Sequence, residues 1–202
     1  VHHEKRYVRP AEFMQLTADA ISHFQRSRLI DDAHLAGIGL AMPDWLGEIP
    51  FLGMPADYSE WMEFDVRAAL ENLTQHPVFI ENETNAAALA ELDYGLGAES
   101  RSFFYIAINA CLGGGLVLDG NGHRGAMALS GEIGWLPIAD DRDKTAPKVD
   151  LLGEVVTMFF LYKFLGEHGV HASVPQDLLT IDARGKALVS KWLKEMSAHL
   201  AV

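Results

Sequence analysis

The chain has 202 residues, 49% of them hydrophobic, with 28 acidic against 16 basic side chains and a formal net charge of −12. That charge excludes a surface that by itself grips nucleic-acid phosphates. No run reaches the roughly 18 apolar residues of a membrane span; the single cysteine, Cys111, excludes an intramolecular disulfide framework and reads as a free thiol. With no signal-peptide pattern at Val1 onward, a cytoplasmic globular protein is expected.

In chain order, residues 11–29 place apolar side chains at helical spacing, and His34 to Met42 read as a buried strand ending at Pro43. Residues 44–62, rich in Pro, Gly and Trp, read as a loop, followed by a helix over DVRAALENL and a strand over VFIEN. Strand, helix and strand in this order follow the crossover logic of an α/β sheet. Val78, Phe79 and Ile80 then run into Asn82 and Glu83 and an alanine-rich helix that ends near Gly95 and Gly97. Polar side chains at the carboxyl end of a strand, beside a helix N-terminus, are placed where open α/β sheets bind ligands. Helix capping by Glu83 or Thr84 explains the same residues.

Two strands, FFYIAINA and LVLDG, flank Asn109 to Gly115, with Gly113, Gly114 and Gly115 expected where the backbone turns. Such a turn can present backbone N–H groups to a phosphate or sugar oxygen, or can simply be tight. Asp119-Gly120-Asn121-Gly122 reads as a structural hairpin turn that tolerates positive φ. Next comes Ser130-Gly131-Glu132-Ile133-Gly134-Trp135, in which Glu132 stands between glycines and is either solvated or available to a ligand hydroxyl. The segment ADDRDKTAPKVD reads as a polar, flexible surface loop, and beyond residue 150 two apolar stripes, DLLGEVVTMFFLYKFLGEHG and ARGKALVSKWLKEMSAHL, predict helices. His2, His3 and His171 have no companions at metal-ligand spacing.

These loops, in this order and spacing, resemble the ROK family of sugar kinases and sugar-responsive repressors, which have the actin-like ATPase (ribonuclease H-like) fold. The family pattern G-I-G-x-A-x-P-G corresponds to Gly37 through Asp44, and E-N-D-x-N-A-A-A-x-x-E to Glu81 through Glu91. G-T-G-I-G-G-G corresponds to Asn109 through Gly115, and R-G-x-x-x-x-x-G-E-I-G-H to Arg124 through Trp135. The match is good over roughly residues 35–137 and weak on the flanks. It implies an α/β fold, incomplete in this chain, with residues 1–80 in an N-terminal lobe and 81–202 in a C-terminal lobe with a helical end.

The resemblance implies sugar binding by Asn82, Glu83, Glu132, Trp135 and Glu154, with Gly113, Gly114 and Gly115 as the remnant of a phosphate loop. For Trp135, filling the space left by a histidine competes with stacking on a sugar; for Glu154, an ordinary place on an amphipathic helix competes with sugar contact. Several positions depart from the family pattern. The kinase base is an aspartate in the family and Glu83 here; a carboxylate displaced by about an ångström can cost on the order of 100-fold in rate. Gly-Thr-Gly has become Asn109-Ala110-Cys111, the histidine after Gly-Glu-Ile-Gly is Trp135, and the cysteine cluster that holds the family's zinc is missing.

Family kinases begin with an Asp-x-Gly-Gly-Thr phosphate loop and end with an adenosine-cradling Gly-Gly, and repressors begin with a DNA-reading helix-turn-helix. None of these lies between Val1 and Val202. The resemblance therefore leads to the expectation of a region of a ROK-type transcriptional regulator that binds a sugar or sugar phosphate without a metal, cofactor or catalytic residue. It would reach DNA only through a domain outside this chain and would pair as a homodimer. The alternative is a divergent sugar kinase using Mg-ATP on a hexose or amino sugar, with Glu83 taking the hydroxyl proton.

Overall fold

A computed structural model describes residues 8–27, 29, 34–44, 46, 56–127, 129–139 and 149–201. The described residues contain six α-helices and seven strands, which group into two units dividing between Glu83 and Thr84.

The first unit begins with α1 (Pro10–Arg26), whose proline at the first turn costs no hydrogen bond because that N–H has no helical partner. β1 (Ile38–Met42), α2 (Val66–Thr74) and β2 (Val78–Asn82) follow, and β1 pairs in parallel with β2, Ile38 against Val78 and Met42 against Asn82. β1 is shorter than expected and is not buried on both sides. Ile38, Leu40 and Met42 pack on the core, whereas the small Gly39 and Ala41 face outward and are exposed. The stretch expected as a loop contains a 3-10 helix, Ala56–Glu63. Its Trp61 is buried with Val66, Leu70 and Val78; Phe13 and Phe64 meet the Trp61 ring edge-on at centroid distances of 5.6 and 5.9 Å, and its indole N–H donates to the Val8 carbonyl at 2.9 Å. A ring of that size with its one polar atom satisfied can anchor a small core. Asp65 caps α2 by accepting from Ala68 N at 2.9 Å, and Gln75 ends it in the left-handed conformation, φ 58°.

In the second unit, α3 (Glu83–Tyr94, shared with the first unit by its first residue) precedes an antiparallel sheet of β3 (Phe103–Ile108), β4 (Leu112–Leu118) and β5 (Asn121–His123). β4 and β5 join through Asp119 and Gly120, both at positive φ (50° and 77°), so the hairpin turn is shorter than the Asp119–Gly122 stretch expected for it, with Asn121 and Gly122 already in β5. β6 (Pro137–Ala139) and β7 (Val149–Leu151) pair antiparallel, so the ends of the ADDRDKTAPKVD segment are strands, while residues 140–148 lie outside the described residues. The helical expectation beyond residue 150 starts too early: Leu152–Glu154 is a 3-10 turn, and the helices are α4 (Met158–Glu167), α5 (Asp177–Thr180) and α6 (Ala183–Leu200). Thr157 and Asp182 cap α4 and α6 through their side-chain oxygens. Two apolar clusters hold the unit together. Leu112, Leu152 and Val156 form one; Leu161, Leu165 and Trp192 form the other, and Met196 of α6 packs on both. No described helix is long and apolar enough to cross a membrane.

Candidate functional site

Parallel pairing of Met42 with Asn82 lays the carboxyl ends of β1 and β2 side by side. Asp44 therefore emerges two residues beyond one strand and Glu83 directly beyond the other, at the start of α3. Asn82 donates from Nδ2 to Asp44 Oδ2 at 3.0 Å. Glu83 is half-buried, and its Oε2 is sealed from solvent with no hydrogen-bond partner among the described residues. Its carboxyl is held above the usual carboxylate range, chiefly because burial penalises the charged form, with the Asp44 charge adding to the effect; its own backbone N–H acts in the opposite direction. A buried, unmatched carboxylate oxygen costs stability, and such oxygens concentrate where a ligand supplies the missing donor. Asp44 was not singled out in the sequence. The signal was available, since it follows Pro43 at the end of a strand.

The remaining sequence candidates lie in the second unit. Gly113, Gly114 and Gly115 do not form the turn: they sit inside β4, paired with Ala107, Ile106 and Tyr105, and none has positive φ. The spatial reason is close packing. A Cβ on Gly115 would stand 2.5 Å from Ala88 Cβ and 2.6 Å from the Thr84 carbonyl, so the strand accommodates α3 only without side chains. Thr84 is correspondingly buried and donates Oγ1 to the Gly114 carbonyl at 2.8 Å. The turn itself is Asn109-Ala110-Cys111, where Asn109 N–H donates to the Cys111 carbonyl at 2.9 Å and the Asn109 carbonyl accepts from Met158 N–H at 2.9 Å.

Glu132 opens a 3-10 turn, Ile133–Trp135, that rests on β4. Two glycines let it do so: a Cβ on Gly131 would fall 1.8 Å from the Gly114 carbonyl oxygen, and one on Gly134 would fall 2.6 Å from the Leu112 carbonyl oxygen. Gly153 backs onto Gly134 from the other 3-10 turn, so that the Glu132 and Glu154 turns meet backbone to backbone. Trp135 remains 49% exposed, which leaves much of its ring outside the core. Glu154 is not on a helix of the expected kind. It is exposed and turns back on its own segment, Oε2 accepting from Leu151 N–H at 3.1 Å. Among the described residues no three His, Cys, Asp or Glu side chains gather at metal-binding distance.

The ROK family pattern matches residues 1–148. The chain belongs to the ROK family. Its relatives include the xylose repressor of Bacillus spizizenii, 28% identical over 137 residues (68% of this chain, 35% of the repressor), and the glucokinase of Halalkalibacterium halodurans, 31% identical over 121 residues (60% and 37%). The chain thus spans about a third of the length of these curated relatives. Among solved structures, the ROK hexokinase of Thermus thermophilus superposes with a TM-score of 0.58 at 25% identity, covering 93% of this chain and 64% of that one. A ROK family transcriptional regulator, a homolog of the E. coli MLC protein, gives a TM-score of 0.64 at 19% identity, covering 98% and 54%, a likeness of fold. The ROK chain described here accordingly has the actin-like ATPase fold in part, and its kin include both regulators and kinases.

Proposed function

We propose that this ROK chain is the sugar-binding region of a transcriptional regulator, with Asn82 and Glu83 taking sugar hydroxyls and with sugar or sugar phosphate as effector. The observation that carries the regulator reading is the closed Asn109-Ala110-Cys111 turn. Its first N–H is already spent on the Cys111 carbonyl, and Ala110 and Cys111 add side chains to a turn that a phosphate would approach through bare backbone. Xylose repressors among the relatives support the same reading and make aldopentoses and aldohexoses the first sugars to try. Glu132, Trp135 and Glu154 join the sugar-binding set through their match to the ROK pattern. DNA contact would come through a domain outside this chain, and pairing as a homodimer belongs to the same proposal.

A divergent sugar kinase is the second reading. The buried, raised carboxyl of Glu83 at a helix N-terminus favours it, because a general base works best with a pKa lifted toward the operating pH. Full-length protein incubated with Mg-ATP and a sugar panel separates the two. Sugar binding without ADP release supports the regulator; ADP formation at an ordinary enzyme rate, on the order of 1–1,000 per second, sinks it.

A further inference from the structure

Asp44 Oδ2 accepts from Asn82 Nδ2 at 3.0 Å, so one carboxylate oxygen fixes the carboxamide that the proposed function assigns to a sugar hydroxyl. Asp44 is exposed, and its negative charge acts through space on the neighbouring Glu83 carboxyl. Hence the strand ends present acceptors and negative charge together. A ligand is welcome there if it brings donors, and more so if it brings a cation; a phosphoryl group brings neither.

We propose that Asp44 is a specificity-determining residue, positioning Asn82 and acting as an electrostatic filter that favours amine-bearing over neutral sugars and disfavours sugars bearing a phosphate. The inference rests on the sugar-binding reading of Asn82 and Glu83. In water-like surroundings a unit charge about 6 Å away changes affinity by roughly threefold per ligand charge, so a dianionic phosphate loses about tenfold. Added salt shrinks both effects, because exposed charges are screened over about 10 Å at 0.1 M ionic strength.

Calorimetry on the full-length protein, with xylose, glucose, glucosamine and glucose 6-phosphate as probes, tests this in the wild type, Asp44→Asn and Asn82→Ala. Asp44→Asn retains an acceptor for Asn82 and removes only the charge. It is expected to weaken glucosamine about threefold and strengthen glucose 6-phosphate about tenfold, both relative to glucose. Ratios that do not move in Asp44→Asn, while Asn82→Ala loses sugar, would overturn the Asp44 assignment and leave the site reading standing. Unchanged glucose or xylose affinity in Asn82→Ala, or binding of none of the four sugars to the wild type, would overturn both.

Discussion

Replacing Gly131 by alanine is the sharpest perturbation the structure offers, because the added methyl has nowhere to go. Its Cβ would lie 1.8 Å from the Gly114 carbonyl oxygen and 2.6 Å from the carbonyl carbon, whereas real Cβ contacts stay beyond 3.0 Å. Relief requires about 1.2 Å of movement, the difference between 1.8 Å and 3.0 Å at the oxygen. Gly114 cannot supply it: the residue is paired with Ile106 in the sheet and its carbonyl accepts from buried Thr84 at 2.8 Å. The Gly131-Glu132 turn must therefore lift off β4, and overpacking against backbone lies at or above the upper end of the usual range, about 3 kcal/mol. At roughly 4 °C per kcal/mol for a unit of this size, the melting temperature should fall by about 12 °C. Gly166→Ala is the matched control. Gly166 lies within α4, and a methyl group added there would meet no atom inside 4 Å, so alanine should stabilise by about 0.5–1 kcal/mol. Thermal melts followed by circular dichroism decide the matter, and a Gly131→Ala protein that melts within about 2 °C of the wild type would refute the packing argument.

Thr84→Val keeps the shape of the buried side chain and removes its hydrogen bond to Gly114, which should cost about 1–2 kcal/mol in urea titrations; a neutral result would mean the bond adds nothing. Glu83 makes stability depend on pH in a defined direction. Its folded-state pKa is raised, so the folded protein holds the proton more tightly than the unfolded chain, and stability falls as pH rises from the unfolded-state value through the raised folded one. Glu83→Gln should flatten that part of the stability profile and be the more stable protein at neutral pH; parallel profiles for the two proteins would count against the burial argument. Glu132→Ala should weaken sugar binding by roughly 1.5–3 kcal/mol, the scale of a hydrogen bond to a charged group, and calorimetry with an unaltered Kd would remove Glu132 from the sugar-binding set.

What the sequence made legible follows from how local each signal is. α2, β2 and α3 were readable because their signals are written in neighbouring residues, Asp65 before one helix and the strand-forming run Val78 to Ile80 before the other. The Asp119-Gly120 turn was readable because positive φ is a property of single residues. Gly113 to Gly115 misled for the opposite reason. Glycine in a sequence suggests freedom to turn, but here it provides room for Thr84 and Ala88, more than 20 positions away. The paired clue was present: an alanine-rich helix and a glycine-rich strand are complementary surfaces without side chains to separate them. Glu154 misled because the apolar stripe that follows it extends the helical pattern back across a 3-10 turn. The place of Asp44 after Pro43 at a strand end is legible in the sequence, but its hydrogen bond with Asn82 depends on strand register, Met42 against Asn82, which only the fold supplies.

On the proposed reading, the strand ends at Asn82 and Glu83 bind a sugar that this ROK chain does not phosphorylate. The most direct test of this is calorimetry of the full-length protein with xylose, glucose and glucosamine, with and without Mg-ATP, with ADP assayed in the same samples. Saturable sugar binding that Asn82→Ala abolishes or weakens at least tenfold is expected, equal with and without nucleotide, with no sugar-dependent ADP. Sugar-dependent ADP release at enzymatic rates, or sugar affinity untouched by Asn82→Ala, would contradict it.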